Sequence, residues 1–422
     1  METLLHYIWK HRLYQLSPLK TTTGESVEII DPGLHNTNAG PDFFNAKIKI
    51  NDRLWAGNVE IHTNSSDWFH HKHDRDKAYN SVILHVIETE NQKCISDLSG
   101  RTIPQLILKI PDKIKENYEY LLKQETAVPC KDRIREIQEI YLSDWKNALL
   151  LERLQRKTQD IETLLNDYSG DWNEVFYVTL ARNFGFGINN DAFERLAKSL
   201  PLKYILKHKD SALQVEALFF GQTGLLEEDI NDPYFISLKK EYIFLKNKYQ
   251  LRNLEHHLFK SLRIRPNNFP HIKISQLATF SRSIETLFSK MLQVEEIKDI
   301  YPSFDVEIPD YWLSHYHFEK QSVKKKKRLG LSAVNLIVIN TITPLMIAYG
   351  KKKQQNQLVE KGIKLLSSIP PEKNAITYSF KNTGLEIGNA ADSQALIQLK
   401  NEYCDKKKCI FCRIGHKLLS KM

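Results

Sequence analysis

Between Gly40 and His85 the chain gathers carboxylates and imidazoles more densely than anywhere else. Asp42 opens one strand-like run, and Glu60 and His62 end the next. Residues two apart on a strand point to one face, so Glu60 and His62 share theirs. In a hairpin the start of the first strand lies beside the end of the second, which brings Asp42 to that edge. Two carboxylates and an imidazole there suit one or two hard divalent cations, Mg²⁺ or Mn²⁺. An ion so held polarises a phosphoryl oxygen and acidifies a bound water. His71 and His73 alternate so as to place two imidazoles together, a candidate second metal cluster. His85 falls inside the apolar run Val82–Ile87, where an imidazole is costly unless paired. It reads as a catalytic group or as a core histidine bonded to a carbonyl. With Glu60, the histidines 62, 71, 73 and 85 also form a rival donor set. That set suits Zn²⁺ or Fe²⁺ in a metal-dependent hydrolase of a small substrate. Asp67 adds an acid, or caps the turn that follows it.

A second set of metal-binding types closes the chain. Cys404, Cys409 and Cys412 follow one another at x4 and x2 spacing, and His416 stands three residues beyond. Three thiols so close together point to a metal rather than to a disulfide framework. The centre is zinc or an iron–sulfur cluster. Its fourth ligand is His416 or the distant Cys130.

The elements that must position these groups can be read from periodicity. Residues 1–16 have a helical period ending at Ser17-Pro18. Ser26–Asp31 alternates as a strand. In 43–50, Phe44, Ala46, Ile48 and Ile50 form the predicted apolar face. Asn51-Asp52 turns the chain into 54–62. Residues 65–80 read as a short helix or ordered loop, 82–87 as a buried strand and 103–110 as another. Pro111 opens a helix to about Lys123. Beyond Cys130 the period is helical at about 133–166, 171–184, 190–199, 210–221, 233–249, 274–292, 329–349, 354–368 and 391–403. The expected class is α+β: an α+β domain over 1–128, a helical domain over 129–403, and a metal-binding tail over 404–422 packed on the helical domain.

The 422 residues carry a net charge of +9, which favours a polyanionic partner such as nucleic acid. Arg263 and Arg265, beside prolines and Phe269, suit phosphate contact. So do Lys325 and Lys326 within the cationic run Lys324–Arg328. Tyr311, Trp312, His315, Tyr316 and His317 read as a packing seam. The apolar stretch Leu331–Ala348 contains Ser332, Asn335, Asn340 and Pro344, and reads as a buried helix rather than a membrane span. With no secretory pattern at the start, the expectation is a cytoplasmic protein with no membrane association. No P-loop is present, so no nucleotide-driven motor is expected.

Pro41-Asp42 and Glu60-Ile61-His62 resemble the first and second motifs of the PD-(D/E)XK nuclease superfamily, with His62 where that family has lysine. The predicted order of elements is similar to its αβββαβ, restriction-endonuclease-like core. The resemblance implies that Asp42 and Glu60 hold the metal and that His62 orients or deprotonates the attacking water. Some nucleases of that superfamily also hold an iron–sulfur cluster on one distant and three C-terminal cysteines. Over nearly its whole length the chain resembles an uncharacterised bacterial family of unknown function, through GPDF at 40–43, VEIH at 59–62, SDW at 66–68, HxH at 71–73 and LHV at 84–86. The expected function is therefore metal-dependent hydrolysis of nucleic-acid phosphodiesters. A small-substrate hydrolase and a catalytically inactive nucleic-acid-binding protein are the alternatives.

Overall fold

A computed structural model describes residues 1–14 and 18–420. The helix predicted over 1–16 ends at His11, where Arg12 takes the left-handed region at φ 53°; residues 15–17 lie outside the described residues. The class is α+β, with an N-terminal sheet and a helical C-terminal part. Two compact units form: Met1–Trp145 with Leu399–Met422, and Lys146–Gln398. The boundary expected at 128/129 thus falls inside the first unit. Arg133 keeps that stretch with the preceding helix by donating to Asn117 Oδ1 at 2.7 Å. The tail, expected on the helical domain, groups with the first unit instead. There Asn117 Nδ2 donates to the Leu418 carbonyl at 3.3 Å, and Tyr7 Oη lies 2.8 Å from His416 Nδ1.

In the first unit, α1 (Glu2–His11) buries Leu4, Leu5, Ile8 and Trp9 and packs on the sheet. The strands are β1 (Leu19–Lys20), β2 (Ser26–Asp31), β3 (Leu34–His35), β4 (Phe43–Ile50), β5 (Arg53–Asn64), β6 (Val82–Thr89) and β7 (Gln105–Ile107). They lie in the order β1-β2-β4-β5-β6-β7, with β3 paired to β4. β2, β4 and β5 run antiparallel, whereas β5, β6 and β7 are parallel neighbours. The crossover from β5 to β6 holds α2 (Asp67–His70) and two 3₁₀ turns, His73–Arg75 and Lys77–Ser81. Val82 to Ile87 are all buried, as a strand covered on both faces requires. The predicted strand over 103–110 pairs only at Gln105–Ile107. Pro111 opens α3 (Asp112–Lys123) as expected.

Two register shifts set what faces what. Along β4 and β5, Ala46 pairs with Gly57, but Phe43 pairs with Val59. Continued without a shift, Phe43 would lie opposite Glu60 and Asp42 opposite Ile61. A bulge at Asn45, in the left-handed region at φ 57°, moves Asp42 opposite Glu60 instead. It also buries Phe43 where Phe44 was predicted, because the extra residue flips the alternation. Along β5 and β6, Asn58 pairs with Val82 but Val59 pairs with Leu84, so Ile83 is the extra residue and His85 comes opposite Glu60. One side chain serves both irregularities. Asn58 Oδ1 accepts the Asn45 backbone N–H at 3.2 Å, and Asn58 Nδ2 donates to Ser81 Oγ at 2.8 Å. Gly57 leaves room beside them, since a Cβ there would meet the Ile83 side chain.

The second unit is helical. Its first complete helices include Trp172–Phe184, Asn190–Ser199, Ala212–Gln222 and Pro233–Tyr249, close to the predicted spans, and the short Leu202–Leu206, which was not predicted. Among the described residues, one helical run, Leu331–Lys352, is long and apolar enough to cross a membrane, and 67% of its apolar stretch is buried inside the protein.

Asn45 is the position where the bulge is most exposed to test. Asn45→Val forces a β-branched residue into the left-handed region and should cost about 1–2 kcal/mol in urea unfolding, whereas Asn45→Gly should stay near wild type. Equal stability of the two variants would rule out the bulge as a register device.

Candidate metal centre

The two shifts bring Asp42 and His85 opposite Glu60, and the crossover to β6 adds His71 and His73. Glu60 Oε2 accepts the Asp42 backbone N–H at 3.1 Å, and Asp42 Oδ2 accepts the Ile61 N–H at 2.9 Å. The carboxylates are therefore cross-braced by each other's strand. Glu60 Oε1 lies 3.1 Å from His73 Nε2 and 3.5 Å from His62 Nε2. His62 Nε2 lies 3.0 Å from His71 Nδ1. Nitrogen atoms of His62, His71 and His73 all fall within 4.8 Å of one another. Ligands bound to one ion at about 2.0–2.2 Å stand about 3.0–3.5 Å apart, so the set has to draw in slightly around an ion.

Packing fixes the rings. His73 stacks on Tyr79 with centroids 3.7 Å apart, and the fully buried Trp68 meets both His73 and His85. Lys72, at φ 62°, turns the chain so that His73 points inward while His71 stays exposed. Behind His62, its Nδ1 lies 2.8 Å from His85 Nε2. His85 in turn pairs with Gln105 across β6 and β7, and the Gln105 side chain favours protonation of His85. Gln105 Nε2 donates to the Gln92 and Lys93 carbonyls.

Burial dominates the electrostatics. It pushes the Glu60 carboxyl up to about 9, with Asp42 adding to the shift. It drives His62 down to about 3, helped by His85, His73 and His71. His85 is also held down to about 3 by burial, and His73 is lowered for the same reason. Burial thus favours the neutral form of His62, His73 and His85, the form that binds metals. His6, on α1, is the contributor that periodicity did not single out. Its Nε2 lies 3.4 Å from Asp42 Oδ2, where both side chains are partly exposed. Burial works against the charged form of His6, but Asp42 outweighs it and the pKa is raised. The signal was a histidine beside the apolar stripe Leu4, Leu5, Ile8.

The remaining predicted residues fall elsewhere. Asp67 Oδ2 accepts the Asn64 N–H at 2.9 Å and so braces the preceding turn. His416 is engaged with Tyr7. In the second unit Arg263, Arg265 and Lys325 are exposed, whereas Lys326 pairs with Glu307 at 2.9 Å. Lys327 is buried against the Trp312 carbonyl. Trp312 is fully buried with Nε1 donating to Glu216, and Tyr311 stacks on His315, as a packing seam does.

Comparison with curated proteins and with solved structures finds no match. Residues 2–375 match the family model described as Protein of unknown function (DUF2851), and the chain belongs to that family.

Proposed function

We propose that this protein is a metal-dependent hydrolase of nucleic-acid phosphodiesters. The observation that carries the reading is the approach of Glu60 Oε1 to His73 Nε2 at 3.1 Å and to His62 Nε2 at 3.5 Å, with His71 Nδ1 3.0 Å from that same His62 nitrogen. A donor set with three imidazoles favours Mn²⁺ or another transition ion over Mg²⁺. When bound, the ion supplies Lewis-acid polarisation and an acidified water. Asp42 and Glu60 provide its charge balance. His62 acts as a ligand rather than as a base, since an imidazole with a pKa near 3 takes up no proton at neutral pH. The base is the His6–Asp42 pair, which is partly exposed beside the carboxylates.

Two further observations support a phosphodiester substrate. Helix α1, the antiparallel run β2-β4-β5, a short helical crossover and the parallel β6 follow the order expected of a restriction-endonuclease-like core. The net charge of +9, with Arg263, Arg265 and Lys325 exposed, suits a polyanion. The imidazole-rich donor set equally favours a second reading, a hydrolase of a small substrate at the same centre.

Cleavage of mixed DNA and RNA should require Mn²⁺ and fall by about 100-fold or more in Glu60→Ala and in His73→Ala. Binding of the uncleaved strand should weaken steeply with salt. Metal-dependent hydrolysis of model esters with no salt-sensitive binding would move the assignment to the small substrate. Retained cleavage in both variants would remove the centre from the chemistry.

Stability offers an independent check. The folded pKa of Glu60 is about 9, against 4.5 for the ordinary carboxyl. Its contribution is complete below about pH 4.5 and is lost as pH rises through about 9. In metal-free protein at pH 8, Glu60→Gln should therefore raise Tm, by about 2–4 °C for each kcal/mol relieved. With Mn²⁺ the order should reverse, because wild type gains binding energy that the variant lacks. The same order with and without Mn²⁺ would sink the metal assignment.

A further inference from the structure

The second unit contains a cavity of about 540 Å³, a size that holds a small molecule. It lies among the helices Glu139–Asp167, Trp172–Phe184 and Asn190–Ser199 and the run Val338–Ile342, which winds as a π-helix. Such wide turns are rare and recur at functional sites. This one presents oxygens to Lys157, which lines the cavity. Lys157 Nζ lies 2.8 Å from Asn340 Oδ1 and 3.4 Å from the Ile339 carbonyl. Its third contact is Gln394 Oε1 at 2.9 Å.

Two features make that amine a nucleophile rather than a buried cation. The first is crowding. Arg153, one turn earlier on the same helix, donates from Nε to the same Gln394 Oε1. A guanidinium stays charged, so a second charge beside it is disfavoured. Burial is the larger effect and Arg153 adds to it, so that Lys157 is held down to about 7. The second feature is the number of short contacts. A neutral amine keeps two N–H donors, enough for the two shorter contacts, and its lone pair is left to react.

The rest of the lining sets the chemistry of a ligand. Thr179 is buried and lines the cavity, and its Oγ1 has no hydrogen-bond partner among the described residues. A buried hydroxyl left unpaired is unfavourable, and a hydroxylated ligand would satisfy it. At the rim, Glu194 pairs with both Arg182 and Lys198, so both cations are already matched. Asp160 and Asp167 add exposed carboxylates to the same rim. The rim is acidic on balance and repels a carboxylate or phosphate ligand.

We propose that this cavity is a carbonyl-binding site in which Lys157 Nζ forms an imine with a small, uncharged, hydroxylated aldehyde or ketone. The amine lone pair forms a bond to the carbonyl carbon, and the carbonyl oxygen becomes a hydroxyl. Both amine protons end on that oxygen, by exchange with solvent at the open rim. The C–O bond then breaks, water leaves, and no electrons pass to or from another reactant. Arg153 is a positioning residue, acting only through Lys157. The site belongs to the second unit and is independent of the reading of the histidine centre in the first.

The test incubates the full chain with glyceraldehyde and cyanoborohydride near neutral pH, which reduces an imine to a stable secondary amine, and maps the adducts by peptide mass. Lys157 should be labelled about tenfold or more faster than exposed lysines. Its rate should rise with pH and level off above about 7, because the neutral amine reacts. Exposed lysines should keep gaining up to about pH 10. Arg153→Gln should move the Lys157 midpoint upward by about one unit and leave the exposed lysines unchanged. Lys157→Met should lose the fast adduct alone. Should either variant fail to fold, the wild-type adduct map and its pH profile still decide. Adducts spread over exposed lysines with Lys157 unlabelled would overturn the site. A Lys157 rate that climbs to about pH 10 like the others would overturn the nucleophile. Faster labelling by glyoxylate than by glyceraldehyde would overturn the ligand class.

Discussion

The arrangement depends on one carboxamide held between two breaks in strand pairing. A bulge frees a backbone N–H from its ladder, and a freed N–H near the interior must find another partner. Asn58 supplies one for Asn45, and with its other end it ties down Ser81 at the entry to β6. Both breaks shift the register by one residue, and each shift has the same consequence. One brings Asp42 opposite Glu60, the other brings His85 opposite Glu60. Because side chains alternate along a strand, a shift of one residue decides whether a group faces the site or faces away. The chemistry of this face is therefore a matter of backbone bookkeeping on either side of Glu60.

What the register assembles is costly in the absence of a cation. Glu60 is 4% exposed and sits beside a second carboxylate, so it keeps its proton well above the usual range. His62 and His85 are buried deeply enough to refuse one. The face thus sets neutral imidazoles beside a suppressed carboxylate, with Glu60 Oε1 3.1 Å from His73 Nε2 and 3.5 Å from His62 Nε2. A hydrophobic core would be cheaper here, since buried polar groups cost unless well paired. A divalent ion would offset both the suppressed ionisation of Glu60 and the crowding of the imidazoles.

Much of this was legible in the residues, and the limits have physical causes. The helix–strand partition, the hairpin at Asn51-Asp52 and the buried strand 82–87 follow from periodicity, because each element buries one face or two. Hairpin geometry brings Asp42 to the edge that Glu60 and His62 share, but not to their face. The bulges do not follow from periodicity, since Asn45 and Ile83 look like ordinary strand residues until pairing exposes the extra one. Hence the predicted face began at Phe44, whereas Phe43 is the residue buried. His6 was hidden because a helix brings it from outside the motif-rich stretch. The tail's partner was hidden because hydrogen bonds from Asn117 and Lys407, not composition, decide where it lies.

The histidine at position 62 is better understood from its two neighbours than from the lysine it replaces in the resemblance. An ammonium group offers donors and no lone pair, so at this position it could contact Glu60 but could bind no cation. An imidazole is two-sided. His62 Nδ1 faces His85 at 2.8 Å and Nε2 faces His71 and Glu60. The fully buried His85 can accept from Nδ1 only if its own Nδ1 carries the proton. So constrained, His62 gives up the freedom to collect a proton, and burial drives its pKa down to about 3. His6 keeps that freedom, because Asp42 raises its pKa while leaving it partly exposed. The group able to carry a proton near this face therefore stands on α1 rather than on β5.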